Sequence, residues 1–231
     1  AHLFGIKLIE KDIACKNGYL NVLERVLIPP VNMAEYILTS TVTKTFSSLL
    51  ERFSVPAFDP ANTILQRQLN PLFADSIFVK RYFTKPGQGG VQQFNGKAIS
   101  SDMQLPFDPG WNSYVRTLSG NTLETDLAAM FVPTDAAMEE FFNSGAGAVL
   151  KDRFVKWDSV PTDILPLFLK RHMRTSFIES VPSRFANMVD EDNSPVPVTR
   201  NDIDKVYVGS NGVVFLTNKV YPPDDYSSAC I

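Results

Sequence analysis

The sequence predicts a mixed α+β fold, and three observations lead there. Two Asn-Gly pairs each open an apolar run that closes on Pro-Pro: NGYLNVLERVLIPP from Asn17 and NGVVFLTNKVYPP from Asn211. Asn-Gly supplies the positive backbone angles of a tight hairpin turn, so both runs read as strands. AAMFVPTDAAMEEFF (128–142) changes from strand to helix at Pro133. PTDILPLFLKRHM (161–173) spaces its apolar residues as a helix does.

Residues 3–13, LFGIKLIEKDI, partly alternate apolar and polar, and 19–28, YLNVLERVLI, alternate again. Around Asn17-Gly18 they form a β-hairpin, closed by Pro29-Pro30. Residues 34–53 read as helical in part, with Phe46, Leu49, Leu50 and Phe53 at helical spacing. The stretch 55–125 reads as a long, irregular, partly β excursion. It holds a polar helical patch near Ile64 to Leu69, the strands SIFVKRYFT (76–84) and WNSYVRTL (111–118), a loop PGQGG and a turn at Asn95-Gly96. In the corner at 128–142, Thr134 or Asp135 caps the following helix, and Gly145 and Gly147 stop it. Thr162 or Asp163 caps the helix of 161–173, with Pro166 in its first turn. His172 lies on or beside that helix's apolar stripe. Strands are expected at SFIESV, PVPVTR, KVYVG and VVFLTNKVY.

Composition narrows the function classes. The chain has 231 residues, 44% hydrophobic and 20% charged, with 17 Phe, which suits a packed interior. A net charge of −3 gives no electrostatic footprint for nucleic acid or an anionic membrane surface. The densest basic group, Lys170-Arg171-His172 with Arg174, reads as a solvated helix end. Two cysteines, Cys15 and Cys230, are too few for a disulfide framework or a Cys-rich zinc site. No apolar run reaches the length of a membrane span.

The motifs of common chemistries are absent. There is no HExxH, CxxC or GxSxG, and PGQGG lacks the GK[ST] of a phosphate loop. Asp190-Glu191-Asp192-Asn193 lacks calcium-loop spacing and reads as an acidic surface turn. His172 has no motif partner for general-base work and reads as a structural histidine. No cofactor and no catalytic or metal-binding residue is expected.

Three blocks together resemble the fasciclin domain family. MFVPTDAAMEEFF resembles its T-x-F-A-P-T-[DN]-x-A-F block, with Thr134 and Asp135 at the motif positions. ILPLFLKRHM resembles its L-L-x-x-H block, with His172 at the histidine. NGVVFLTNKVYPP resembles its closing N-G-V-V-x-V-I-D-x-V-L-x-P block, with Asn211 and Gly212. EKDIACKNGYLNVLERVLIPP is similar to that closing block too, with Asn17 and Gly18. The resemblance implies a β-sandwich or wedge with several helices packed on one side. It also implies an N-terminal β-hairpin left from a preceding domain. The expected division is 1–34 for the strands and linker of that earlier domain, 35–225 for a fasciclin-like domain with an insertion at about 55–125, and 226–231 for a tail. Asn17 and Asn211 stand 194 residues apart, so the chain is expected to be an excerpt from a tandem array.

What the resemblance implies for function is a non-enzymatic surface module that binds proteins or glycans, in an extracellular setting or a bacterial cell envelope. Attachment to a membrane would go through an anchor outside this chain. The absence of any N-x-[ST] sequon fits a bacterial origin. Two other readings stand beside it: a spacer in a multi-domain envelope protein, and a hydrolase using the insertion with His172, Asp135 or Asp163. For a binding surface, the aromatic cluster of the insertion is the candidate: Tyr82, Phe83, Trp111 and Tyr114, with Phe94 and Phe107 nearby. The alternative for these aromatics is burial under the loops. The apolar strands within 3–28 could also pair with another chain.

Overall fold

The computed structural model describes residues 1–3, 5–111 and 127–223. Contacts divide the chain into two units, 1–30 and 31–231.

The first unit is a three-stranded antiparallel sheet of β1 (His2–Leu3), β2 (Ile6–Cys15) and β3 (Gly18–Leu23), in that order. β2 turns into β3 at Asn17-Gly18, where Cys15 pairs with Gly18. The register shifts twice along this hairpin. At the second shift Asp12 has φ 57°, and its N–H is taken by Asn21 Oδ1 at 3.0 Å. Such a bulge inserts an extra residue and sharpens the local twist.

The second unit is built around a four-stranded sheet in the order β10-β11-β8-β9, with its elements numbered along the chain. They are α1 (Met33–Thr39), α2 (Lys44–Glu51), β4 (Ser54–Phe58), α3 (Pro60–Leu69), β5 (Phe78–Tyr82), β6 (Gln93–Phe94) and β7 (Lys97–Ala98). Next come β8 (Ala128–Pro133), α4 (Asp135–Asn143), α5 (Ala148–Phe154), α6 (Leu165–Arg171), β9 (Met173–Arg174), β10 (Ile203–Val208) and β11 (Gly212–Thr217). The fold is mixed α+β, as the sequence predicts.

β8 and β11 pair in parallel, from Gly212 opposite Ala128 to Thr217 opposite Pro133. Every residue of both strands is buried, as in sheets covered on both faces. Alternate side chains enter two different cores. Met130, Val132, Val214 and Leu216 pack with apolar residues of α1, α2, α4, α5 and α6. Ala129, Phe131, Val213 and Phe215 pack with Phe185, Met188, Val196, Val198 and Tyr221. Phe131 stacks on Phe215, with centroids 4.8 Å apart. One face of the sheet therefore carries helices, and the other carries the irregular segment 177–200.

Several local expectations change. SFIESV and PVPVTR are not strands; their segment contains 3₁₀ turns at Ile178–Ser180 and Phe185–Asn187. Pro195 and Pro197 cannot donate to a ladder, so Val196 and Val198 are buried without joining a sheet. α6 begins at Leu165, without a side-chain cap from Thr162 or Asp163, although Pro166 does sit in its first turn. The basic group at its end is not solvated: Arg171, His172 and Arg174 are all buried. The strand expected at 111–118 lies, beyond Trp111, outside the described residues.

Within the excursion, β4 and β5 form an antiparallel pair, and β6 and β7 a small hairpin. Asn95 and Gly96 both have positive φ at its turn, 50° and 74°, as a type I′ turn requires. The excursion has no separate aromatic core among the described residues. Tyr82, Phe83, Leu105 and Phe107 join the helix-side core directly.

Candidate binding cleft

The motif residues of the second unit are tied to its frame. Thr134 caps α4, its Oγ1 accepting from the Ala137 N–H at 3.3 Å. Asp135 does something different. Its carboxylate accepts from the N–H groups of Lys44 (3.2 Å) and Thr45 (2.7 Å), and so caps α2 from a distant part of the chain. Thr43, the residue at the cap position of α2, makes no side-chain cap bond itself. Helix N-termini leave donors unpaired, and a carboxylate there also meets the favourable end of the helix dipole.

His172 is fully buried against Phe46, Phe168 and Tyr221. Its Nε2 accepts from the Tyr221 N–H at 3.2 Å, which places the proton on Nδ1, donating to the Phe168 carbonyl at 2.8 Å. Its own carbonyl accepts from the Phe131 N–H. One residue thus bonds to α6, β8 and the chain after β11. Burial, the charges of Arg174 and Arg171 adding to it, drives its pKa down to about 3. Neither nitrogen is available for a general base. Of the other two residues weighed for a hydrolase, Asp163 is exposed and Asp135 is engaged with the start of α2.

Asn211 is the third tie. Its Oδ1 accepts from the Met33 N–H at 2.9 Å, and its Nδ2 donates to the carbonyls of Pro109 (2.8 Å) and Trp111 (3.0 Å). It joins the start of α1 to the end of the described excursion. Gly212 beside it has no room for a side chain, since a Cβ would lie 2.3 Å from the Ala128 carbonyl oxygen. Asn17 and Gly18 are exposed, and a Cβ on Gly18 would meet nothing within 4 Å.

Asn211 holds two walls of an open cleft of about 430 Å³. α1 supplies Glu35 and Leu38, the start of α3 supplies Asp59 and Asn62, and β5 supplies Lys80 and Arg81. Trp111 closes one side. The Arg81 guanidinium lies 3.7 Å from the centre of its indole ring, a cation–π contact. Gly89 makes room for the indole, because a Cβ there would lie 2.3 Å from its Cδ1. Trp111 remains 40% exposed, the only tryptophan surface of that extent among the described residues.

Beneath the cleft, Asp108 is buried and accepts from the Tyr82 N–H (3.2 Å) and the Gly110 N–H (2.8 Å). Arg81 Nη1 lies 4.0 Å from it. Burial raises its pKa to about 6 despite these hydrogen bonds and the arginine. Tyr82 is 1% exposed, its hydroxyl donating to Glu51 Oε1 at 2.5 Å, and burial raises its pKa. Lys80 pairs with the same glutamate.

Two of the four aromatics expected at a binding surface are therefore core residues, Tyr82 and Phe83. Trp111 lies at the cleft, and Tyr114 lies outside the described residues. Phe107 is buried, whereas Phe94 is 43% exposed on the separate β6–β7 hairpin. Arg81, Glu35 and Asp59 carry no motif and were not singled out by their spacing. The one signal for Arg81 is its neighbourhood, KRYF within a β-strand that leads toward a Gly-rich loop. No protein-family model, curated protein or solved structure matches the chain.

Proposed function

We propose that the chain is a non-enzymatic, fasciclin-type binding module of a cell surface or envelope, with a wedge-like sheet and helices on one side, and that it contacts a protein or glycan ligand through the Trp111 cleft. The observation that carries the reading is the Arg81–Trp111 pair. It presents a half-exposed indole and a planar cation in an open cleft, on a framework where Asn211, Asp135 and His172 are all occupied in structural bonds. Tryptophan and arginine supply large, rigid contact area at recognition sites. The three motif blocks also converge on one sheet: β8 from the first, His172 from the second, β11 from the third.

The test is a glycan array and an affinity capture from envelope extracts, each run with the whole chain and with Trp111→Ala and Arg81→Ala. The expected result is a ligand held by the parent chain and lost by at least about tenfold in either variant, with the thermal transition retained. Equal capture by parent and variants would remove the cleft from the proposal. No ligand in either format would favour the spacer reading.

A further inference from the structure

Two arginines near the end of α6 are buried, Arg171 and Arg174, and they are treated very differently. A buried guanidinium is costly unless its charge and its N–H groups find partners. For Arg171 they do. Nη1 donates to Asp190 Oδ2 at 2.5 Å, and the other donors reach the carbonyls of Pro222, Ser194 and Pro195. Arg174, only 6% exposed, has backbone carbonyls alone: Met173 at 2.6 Å and Arg171 at 3.2 Å. Its Nε–H has no acceptor among the described residues. The acids nearest in influence, Asp190 and Glu191, are already committed to Arg171 and Lys85.

Arg174 lines a second cleft, of about 340 Å³, with Thr175, Glu179, Arg184, Asn187 and Asn193. Arg184 is exposed and makes no ion pair among the described residues. Asp190 and Glu191 line the cleft too, each paired with a cation of its own, Arg171 and Lys85, which leaves Arg174 and Arg184 against Glu179. The cleft is thus left with one uncompensated positive charge, beside two side-chain amides that can donate hydrogen bonds.

We propose that this cleft binds a single carboxylate group, the acid function of a sugar acid or of a small organic acid, paired with Arg174 and Arg184. Guanidinium groups match the planar geometry of a carboxylate and can hold it through two N–H groups at once. The one net charge and the repulsion of Glu179 disfavour a dianion such as phosphate. This site is separate from the Trp111 cleft, and neither depends on the other.

The experiment is a titration of the whole chain with sodium acetate, sodium glucuronate and sodium phosphate at constant ionic strength, followed by amide resonances. Saturable shifts at Thr175, Asn187 and Asn193 are expected with both carboxylates. Glucuronate binding about tenfold tighter than acetate would identify the sugar acid, and equal affinities a small organic acid. Arg184→Gln should weaken binding by about tenfold, and Glu179→Gln should strengthen it. Both residues are exposed, so the fold is retained and the result is readable. The proposal is overturned by any of three results: no saturable shift by about 50 mM, phosphate bound more tightly than acetate, or an affinity unmoved by Arg184→Gln.

Discussion

At the residue scale, two buried titratable groups pull stability in opposite directions. His172 has a folded pKa of about 3, below its ordinary 6.5. The unfolded chain takes up its proton first, so the contribution of His172 is present above pH 6.5 and lost as pH falls toward 3. Asp108 has a folded pKa of about 6, above its ordinary 3.8. Its contribution is present below pH 3.8 and lost as pH rises through 6. Each single-proton slope is at most about 1.4 kcal/mol per pH unit. Between about pH 4 and pH 6 they cancel, so unfolding free energy from urea melts should be nearly flat there. His172→Gln should leave a stability that declines with rising pH, and Asp108→Asn one that increases. Unchanged slopes in both variants would refute this account. The histidine's placement on an apolar stripe was legible in the sequence. Its second partner was not, because the Tyr221 N–H comes from a remote segment. The two Asn-Gly pairs make the same point. Gly18 and Gly212 share a φ of 156°, yet only Gly212 is pressed against a neighbouring backbone.

At the scale of elements, the corner after β8 serves two helices. Thr134 caps the helix that follows it, a relation readable from a Thr ahead of an apolar helical run. Asp135 caps α2, which no local pattern could reveal, since its partners are Lys44 and Thr45. Asp135→Ala should cost about 1–2 kcal/mol, measured as a lower denaturation midpoint with an unchanged m-value. Asp135→Asn should recover much of that loss, because an amide oxygen can still accept. A loss of less than about 0.3 kcal/mol in the alanine variant would show that the α2 amides are satisfied by water instead. β5 illustrates the converse limit. Alternation announces a half-covered strand but not which aromatics go inward. Tyr82 and Phe83, expected either at a surface or buried under the loops, lie in the core, while Arg81 just before them carries no motif and lines the cleft.

At the scale of the whole molecule, class was more legible than layering. Hairpin turns, the strand-to-helix corner and helical spacing together imply α+β. The structure adds that β8 and β11 are buried on both faces, in keeping with their continuous apolar runs. What covers the second face was not legible. Phe185, Met188, Val196 and Val198 lie in an irregular segment with no periodicity to announce it. Nor were the buried arginines, because a sequence lists charges without their partners. The central pairing has a consequence in time as well as in space. β11 meets β10 across a short turn, but it meets β8 only after the chain from Pro133 to Gly212 has closed a long loop. Contacts remote in sequence must repay loop closure before they stabilise anything. The β10–β11 amides should therefore gain protection early in pulse-labelled refolding, and the β8–β11 bonds later. Simultaneous protection would argue against this order. The β8–β11 ladder, buried along its whole length, would then be among the last parts to exist. Until it closes, the apolar runs of β8 and β11 stand open to other copies of the chain, so refolding yield should drop with protein concentration more steeply than native stability suggests.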